Sequence, residues 1–251
     1  MSVVKIAWDE KTLTSGSLWL LNKNINGYEN VQNDLLATEA ISGRKFEILN
    51  QPKLGYSHLP KGKIKVRLLE DGYICYFKLQ DLIGHIERTQ NWNPILLTKT
   101  QIIEKLPQVL SWVRKASKVP NYYLWGGTEG PNFDCSGLIQ AAFSSEKIWL
   151  PRDAYQQEQF CTRIKFNSKT FKEICLGDLL FFGEKERCTH VGLYKGAGAY
   201  WHSSGSENGR DGIGIDYLNY QKNNAISAHY FSMLRGAGRV EYCHNDQLFF
   251  Y

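Results

Sequence analysis

The stretch from Asn132 to Phe143, N-F-D-C-S-G-L-I-Q-A-A-F, constrains this chain more than any other. It follows Tyr122-Tyr123-Leu124-Trp125-Gly126-Gly127, a strand or turn that ends in two glycines. Gly126, Gly127, Gly130 and Pro131 interrupt regular structure ahead of it. Asn132 or Asp134 is suited to cap a helix, and Leu138, Ile139, Ala142 and Phe143 fall on one helical face. The pattern predicts an amphipathic helix with Cys135 in or just before its first turn. Unpaired N–H groups and the positive end of the helix dipole favour a thiolate there, so a lowered thiol pKa is expected. A small buried thiol opening a core helix is the plainer reading of a lone cysteine. The glycine-rich approach, the flanking Asp134 and Ser136, and two histidines downstream weigh toward a nucleophile.

The chain has 251 residues, enough for one large domain or two small ones. Its net charge of +5 comes from scattered basic residues, with no Lys/Arg-rich block, so no nucleic-acid partner is expected. The six cysteines, Cys75, Cys135, Cys161, Cys175, Cys188 and Cys243, form no C-x-x-C pair. Neither they nor the histidines show zinc-type spacing, and no metal or cofactor is expected. The opening residues turn acidic at Asp9-Glu10 before any apolar core develops, unlike a signal peptide. No run approaches the roughly 18 apolar residues of a membrane span. The expectation is a cytoplasmic protein with reduced thiols and no membrane partner.

Along the chain, residues 1 to about 12 read as a leader. Short strands follow from Leu18 to about Ile86, read at Ser17–Leu21, Lys45–Leu49, Lys63–Leu69 and Tyr73–Phe77, with a polar loop from Asn22 to Asn33 and turns at Asn50-Gln51-Pro52 and Glu70-Asp71-Gly72. This spacing predicts a small all-β barrel over residues 1–92. A linker is placed at 93–105, and a second domain at 106–251. Leu106, Val109, Leu110 and Val113 mark a helix with Pro107 in its first turn. After the Cys135 helix, Leu179–Phe182, Thr189–Tyr194 and Ala199–Ser203 read as a meander, with further strands at Ile213–Leu218 and near Tyr230–Val240. The whole is an α+β arrangement.

A cysteine nucleophile needs a base, and the base needs an orienter. His190 and His202 sit on consecutive predicted strands, and adjacent strands lie about 5 Å apart. His190 can therefore serve Cys135 while His202 holds its far nitrogen. A Cys-His couple serves hydrolases, acyltransferases and transglutaminases alike.

Four motifs in order, Tyr123-x-Trp125-Gly126-Gly127, Asp134-Cys135-Ser136-Gly137, Gly177-Asp178-Leu179-x-Phe181-Phe182 and His190-Val191-Gly192, closely resemble the NlpC/P60 family of cell-wall cysteine peptidases. Val66 to Leu82, with E-D-G-Y-x-x-Y, resembles bacterial SH3-like domains. The combination is similar to cyanobacterial γ-D-glutamyl-L-diamino acid endopeptidases. The resemblance implies a papain-like catalytic domain, helices packed on an antiparallel sheet, behind a small SH3-like barrel. It implies Cys135 as nucleophile, His190 as base, His202 as orienter and Tyr123 as an oxyanion partner. Trp125, Asp134, Ser136, Arg152 and Asp153 match positions around the substrate, and Tyr73 matches an SH3-domain tyrosine that reaches the groove. The implied substrate is a murein peptide cut between D-γ-glutamate and meso-diaminopimelate or lysine. Tyr73 beside Glu70 and Asp71, with Asp134 and Asp153, is expected to select a free N-terminal L-Ala, as in cell-wall peptide recycling. Two other readings compete: a cell-wall binding protein with an idle second domain, and an acyltransferase on the same core. Tyr76, where relatives often carry Trp, departs from the pattern.

Overall fold

The structure, a computed structural model, describes residues 13–50, 62–167, 169–218 and 224–244. The expected leader and the Gln51-Pro52 turn lie outside them. The described residues divide into two compact units, one ending at Pro94 and one running from Ile95 to His244.

The first unit is a seven-stranded antiparallel sheet with one short helix. Its elements are β1 (Leu18–Leu21), β2 (Ile25–Tyr28), β3 (Leu36–Ala40), β4 (Lys45–Ile48), β5 (Lys63–Leu68), β6 (Ile74–Lys78), α1 (Leu79–Leu82) and β7 (Ile86–Thr89). The strands pair in the order β3-β2-β6-β5-β4-β1-β7. Strand β5 shows why the chain folds this way: Ile64, Val66 and Leu68 are buried, while Lys63, Lys65 and Arg67 lie partly in solvent. Phe46 and Phe77 meet edge to face across the core, their centroids 5.3 Å apart. The segment from Asn22 to Asn33, expected as a loop, contains β2. Ile25 and Tyr28 are buried there, and Gly27 passes so close to β6 that a Cβ would lie 2.7 Å from the Cys75 sulfur. Strands β3 and β7 were also not anticipated. No β3–β7 pairing closes the sheet among the described residues.

The second unit opens with helix α2 (Lys99–Ala116) and then α3 (Cys135–Ser144) and α4 (Ala154–Phe160). Strands β8 (Thr162–Ile164), β9 (Leu179–Gly183), β10 (Cys188–Gly196), β11 (Ala199–Ser204) and β12 (Gly212–Tyr217), helix α5 (Ala225–Ser232) and β13 (Leu234–Arg239) complete it. The sheet is antiparallel throughout, in the order β12-β11-β10-β9-β13-β8. Helix α3 packs on β10 and β11, and α4 on β10. In α3 the fully buried Leu138, Ile139 and Phe143 contribute about 1.5–3 kcal/mol each through apolar burial.

Three sequence expectations are corrected in this unit. Helix α2 starts at Lys99, inside the expected linker, because Thr98 and Gln101 form a reciprocal capping box ahead of the apolar repeat. Pro107 therefore sits within the helix rather than in its first turn. Tyr230, placed on a strand, lies in α5, whose start Asn224 caps by accepting from the Ser227 N–H at 3.0 Å.

Candidate active site

Asp134 fixes the start of α3. Its Oδ1 accepts from the Gly137 N–H at 2.6 Å, and its Oδ2 from the Gly126 N–H at 2.9 Å. One carboxylate thus ties the glycine loop to the helix. The two segments also touch through backbone, since a Cβ on Gly137 would overlap the Gly127 carbonyl oxygen. Arg152 then clamps Asp134 with two bonds, Nη1 to Oδ1 at 3.1 Å and Nη2 to Oδ2 at 2.5 Å, and reaches Ser136 Oγ at 3.0 Å. With Ser136 Oγ 3.3 Å from Oδ1, the carboxylate receives five donor contacts. Its capacity is about four lone pairs.

The structure places Asp134, Ser136 and Arg152, expected around the substrate, in this internal cluster. They are 6%, 5% and 1% exposed and are turned onto one another. A saturated carboxylate has no lone pair left for a substrate ammonium. In the first unit Arg44 binds Glu70 at 3.2 Å and Asp71 at 2.7 Å, with all three side chains buried. Tyr73 leans on that unit's core, its N–H donating to Asp71 Oδ1 at 3.0 Å.

Beside Cys135 runs β10. The Cys135 sulfur lies 4.0 Å from the Thr189 carbonyl oxygen, and the Val191 N–H also reaches it. Thr189 and Val191 flank His190. His190 Nε2 is 2.8 Å from His202 Nδ1 on the paired strand β11. His202 Nε2 is in turn 2.7 Å from Asp216 Oδ2 on β12. The chain of contacts sets the protons. An ionised Asp216 can only accept, so His202 carries its proton on Nε2. Nδ1 of His202 then accepts from His190 Nε2–H, which leaves Nδ1 of His190 as its basic nitrogen. With both ring nitrogens engaged, His202 has no lone pair for a metal ion.

Two parts of this assembly escaped sequence reasoning. Asp216 is the carboxylate at its end. The signal was present in G-I-G-I-D-Y: the inward positions of β12 are Gly212, Gly214 and Asp216, so a charged side chain stands alone on a buried face. Tyr230 is the other. Its ring stacks on His190 at 4.3 Å between centroids and meets His202 edge-on at 4.8 Å, while its hydroxyl is 2.7 Å from Ser204 Oγ.

Electrostatics correct the expected low thiol pKa. Burial, reinforced by Asp134, pushes Cys135 up to about 12, against the Val191 N–H, Arg152 and the Ser136 N–H. Burial, then His202 and His229, hold His190 well below its ordinary 6.5. Asp216 stays below the ordinary 3.8: burial would raise it, but hydrogen bonds from His202 and Ser227 and the charge of Arg210 prevail. Both shifts favour a neutral thiol and a neutral imidazole.

Of the remaining predicted residues, Tyr123 lies in the electrostatic reach of Cys135, and burial keeps its phenol protonated as a donor. Its N–H donates to Asp211 Oδ1 at 2.9 Å. Trp125 is 66% exposed. Asp153 caps α4 and is half-buried, its N–H donating to Gln156 Oε1 at 3.1 Å.

Fold and site together define a class: an α+β domain in which a helix-borne cysteine lies against a strand-borne imidazole chain ending in a carboxylate. The NlpC/P60 family model matches residues 120–235. The bifunctional muramidase/DL-endopeptidase CwlT of Bacillus subtilis is 42% identical over 88 residues, 34% of this chain and 25% of that protein. The gamma-D-glutamyl-L-lysine dipeptidyl-peptidase of B. subtilis is 39% identical over 84 residues, covering 32% and 27%. The gamma-DL-glutamyl hydrolase of the same organism is 34% identical over 146 residues, covering 56% and 33%. The chain thus spans a third or less of these relatives. A solved NlpC/P60 family protein from Bacillus cereus aligns over 92% of this chain and 65% of its own, at 21% identity and a TM-score of 0.42.

Proposed function

We propose that this protein is a cysteine peptidase that hydrolyses the γ-D-glutamyl bond of murein peptides ahead of a diamino acid, meso-diaminopimelate or lysine. The observation that carries the reading is the ordered chain from His190 through His202 to Asp216 beside Cys135. In this reaction Cys135 attacks the γ-carbonyl while His190 Nδ1 takes its proton. The tetrahedral oxygen finds the Cys135 N–H at the start of α3 and the protonated phenol of Tyr123. His190 then gives its proton to the leaving amine, and water releases the acyl group from Cys135. The γ-glutamyl linkage finds support in the names of two relatives, a gamma-D-glutamyl-L-lysine dipeptidyl-peptidase and a gamma-DL-glutamyl hydrolase.

The preferred substrate in this proposal is the free cytoplasmic peptide with an unacylated L-Ala, a restriction supported by the sequence resemblance. The test incubates the protein with L-Ala-γ-D-Glu-meso-diaminopimelate and identifies products by mass. L-Ala-D-Glu and free diaminopimelate are expected from the wild type, and none from Cys135→Ala. Equal turnover of the N-acetylated peptide would remove the restriction. Turnover that survives in Cys135→Ala would remove the assignment itself.

A further inference from the structure

Asp216 is approached from two sides. His202 Nε2 lies 2.7 Å from Oδ2, and Arg210 reaches the same oxygen with Nη2 at 2.6 Å and Nε at 3.2 Å. Oδ1 accepts from Ser227 Oγ at 2.8 Å and Asn224 Nδ2 at 3.3 Å. Arg210 also donates through Nη2 to the Ile215 carbonyl at 3.1 Å, so its guanidinium lies along β12. It passes over Gly214, the residue opposite His202 in the β11–β12 register. A Cβ on Gly214 would overlap the guanidinium. The glycine leaves the space that Arg210 fills.

His202 has two states with opposite consequences. Neutral, it holds a proton on Nε2 and accepts from His190 at Nδ1. Charged, it also holds a proton on Nδ1, which then confronts the proton on His190 Nε2. His190 must move its own proton to Nδ1, where it can no longer receive one from Cys135. A lone buried carboxylate beside His202 favours the charged state, and a cation on the same oxygen opposes it.

We propose that Arg210 is a positioning residue: by pairing with Asp216 it keeps His202 in the neutral form that orients His190 to take the Cys135 proton. This rests on the peptidase chemistry proposed above. The other titratable groups around the two rings are Cys135 of α3, Tyr200 of β11, and His229 and Tyr230 of α5. Burial lowers both rings first; His202 and then His229 act further on His190, while Asp216 raises His202 and Arg210 lowers it.

The test has two readouts: imidazole titrations by NMR in the substrate-free protein, and the acid limb of kcat/KM. Arg210→Gln is expected to move the His202 titration and the acid limb up by at least about one pH unit. Gly214→Ala keeps every polar group but displaces the guanidinium, and is expected to do the same; it carries the test where Arg210→Gln fails to fold. Asp216→Asn, which leaves Arg210 unopposed, is expected to shift both downward. No shift in Gly214→Ala, or shifts in the same direction for the Arg210 and Asp216 variants, would overturn the role. An unmoved His202 titration refutes it whatever the activity. A moved titration alongside an active Cys135→Ala protein refutes the peptidase chemistry and leaves the role of Arg210 standing.

Discussion

Replacing Arg152 with methionine separates two roles for this residue. Its side chain is 2% exposed and makes two bonds to Asp134 and one to Ser136. Methionine has a similar length and fills most of the space, but it leaves the Asp134 carboxylate buried without its cation. Breaking a buried pair on one side costs about 3–5 kcal/mol. That is a large share of the ~5–15 kcal/mol that stabilises a typical domain. For a unit of this size it corresponds to a fall in Tm of roughly 6–20 °C. Arg152→Lys keeps the charge but loses the fork, and should fall between. Adding Asp134→Asn to Arg152→Met removes the stranded charge and should recover part of the loss, since the two residues are directly coupled. The assay is urea unfolding of the full chain, with hydrogen exchange of the α3 amides to localise the effect. The reasoning fails if Arg152→Met leaves stability within about 0.5 kcal/mol and raises KM alone, for Arg152 would then hold substrate rather than the helix start.

Two further outcomes follow from burial. Exposed Cys175 should be alkylated before Cys135 at neutral pH, and Cys135 labelling should keep rising toward pH 12, because its thiol is pushed up to about 12; peptide mapping after iodoacetamide reads both, and a Cys135 that labels first at pH 7 would contradict it. Stability should decline in acid, because His190 and His202 both titrate below their ordinary 6.5 when folded. The sign is fixed: above 6.5 folded and unfolded rings are both neutral, and below it the unfolded rings bind protons first. Each ring therefore withdraws about 1.4 kcal/mol per pH unit until its folded pKa is reached. Urea midpoints at pH 8, 6 and 5 measure the slope, and a flat profile would contradict it.

Much of the catalytic unit was legible because its elements repeat at their own period. The apolar face of α3 and the strand runs at Leu179–Phe182, Thr189–Tyr194 and Ala199–Ser203 match the observed elements closely. His190 and His202 could be paired because only four residues separate the two predicted strands that carry them. The rest failed for physical reasons. Asp216 is polar at a buried position, which periodicity counts as noise, and its partners Arg210 and Ser227 come from other segments. Strand β2 carries asparagine and glycine, residues of low strand propensity, and is held by packing against Cys75 and Thr38. Helix α2 was shortened because Pro107 looks like a start, while the capping box at Thr98 is polar and has no apolar signature. The low thiol pKa was expected from the helix end alone. Nothing local to the sequence shows that the sulfur is enclosed, and enclosure outweighs the dipole.

Strand β12 lies at one edge of its sheet and has a single strand partner, β11. The carboxylate that sets the protons of His202 and His190 therefore rides on an edge strand. Edge strands fray at a lower free energy than central ones. When β12 peels, Asp216 leaves with it and His202 loses its tautomeric preference, while Cys135, the glycine loop and β9 and β10 stay in place. Heating should silence this protein while most of its sheet is still folded, and cooling should return its activity without refolding the core.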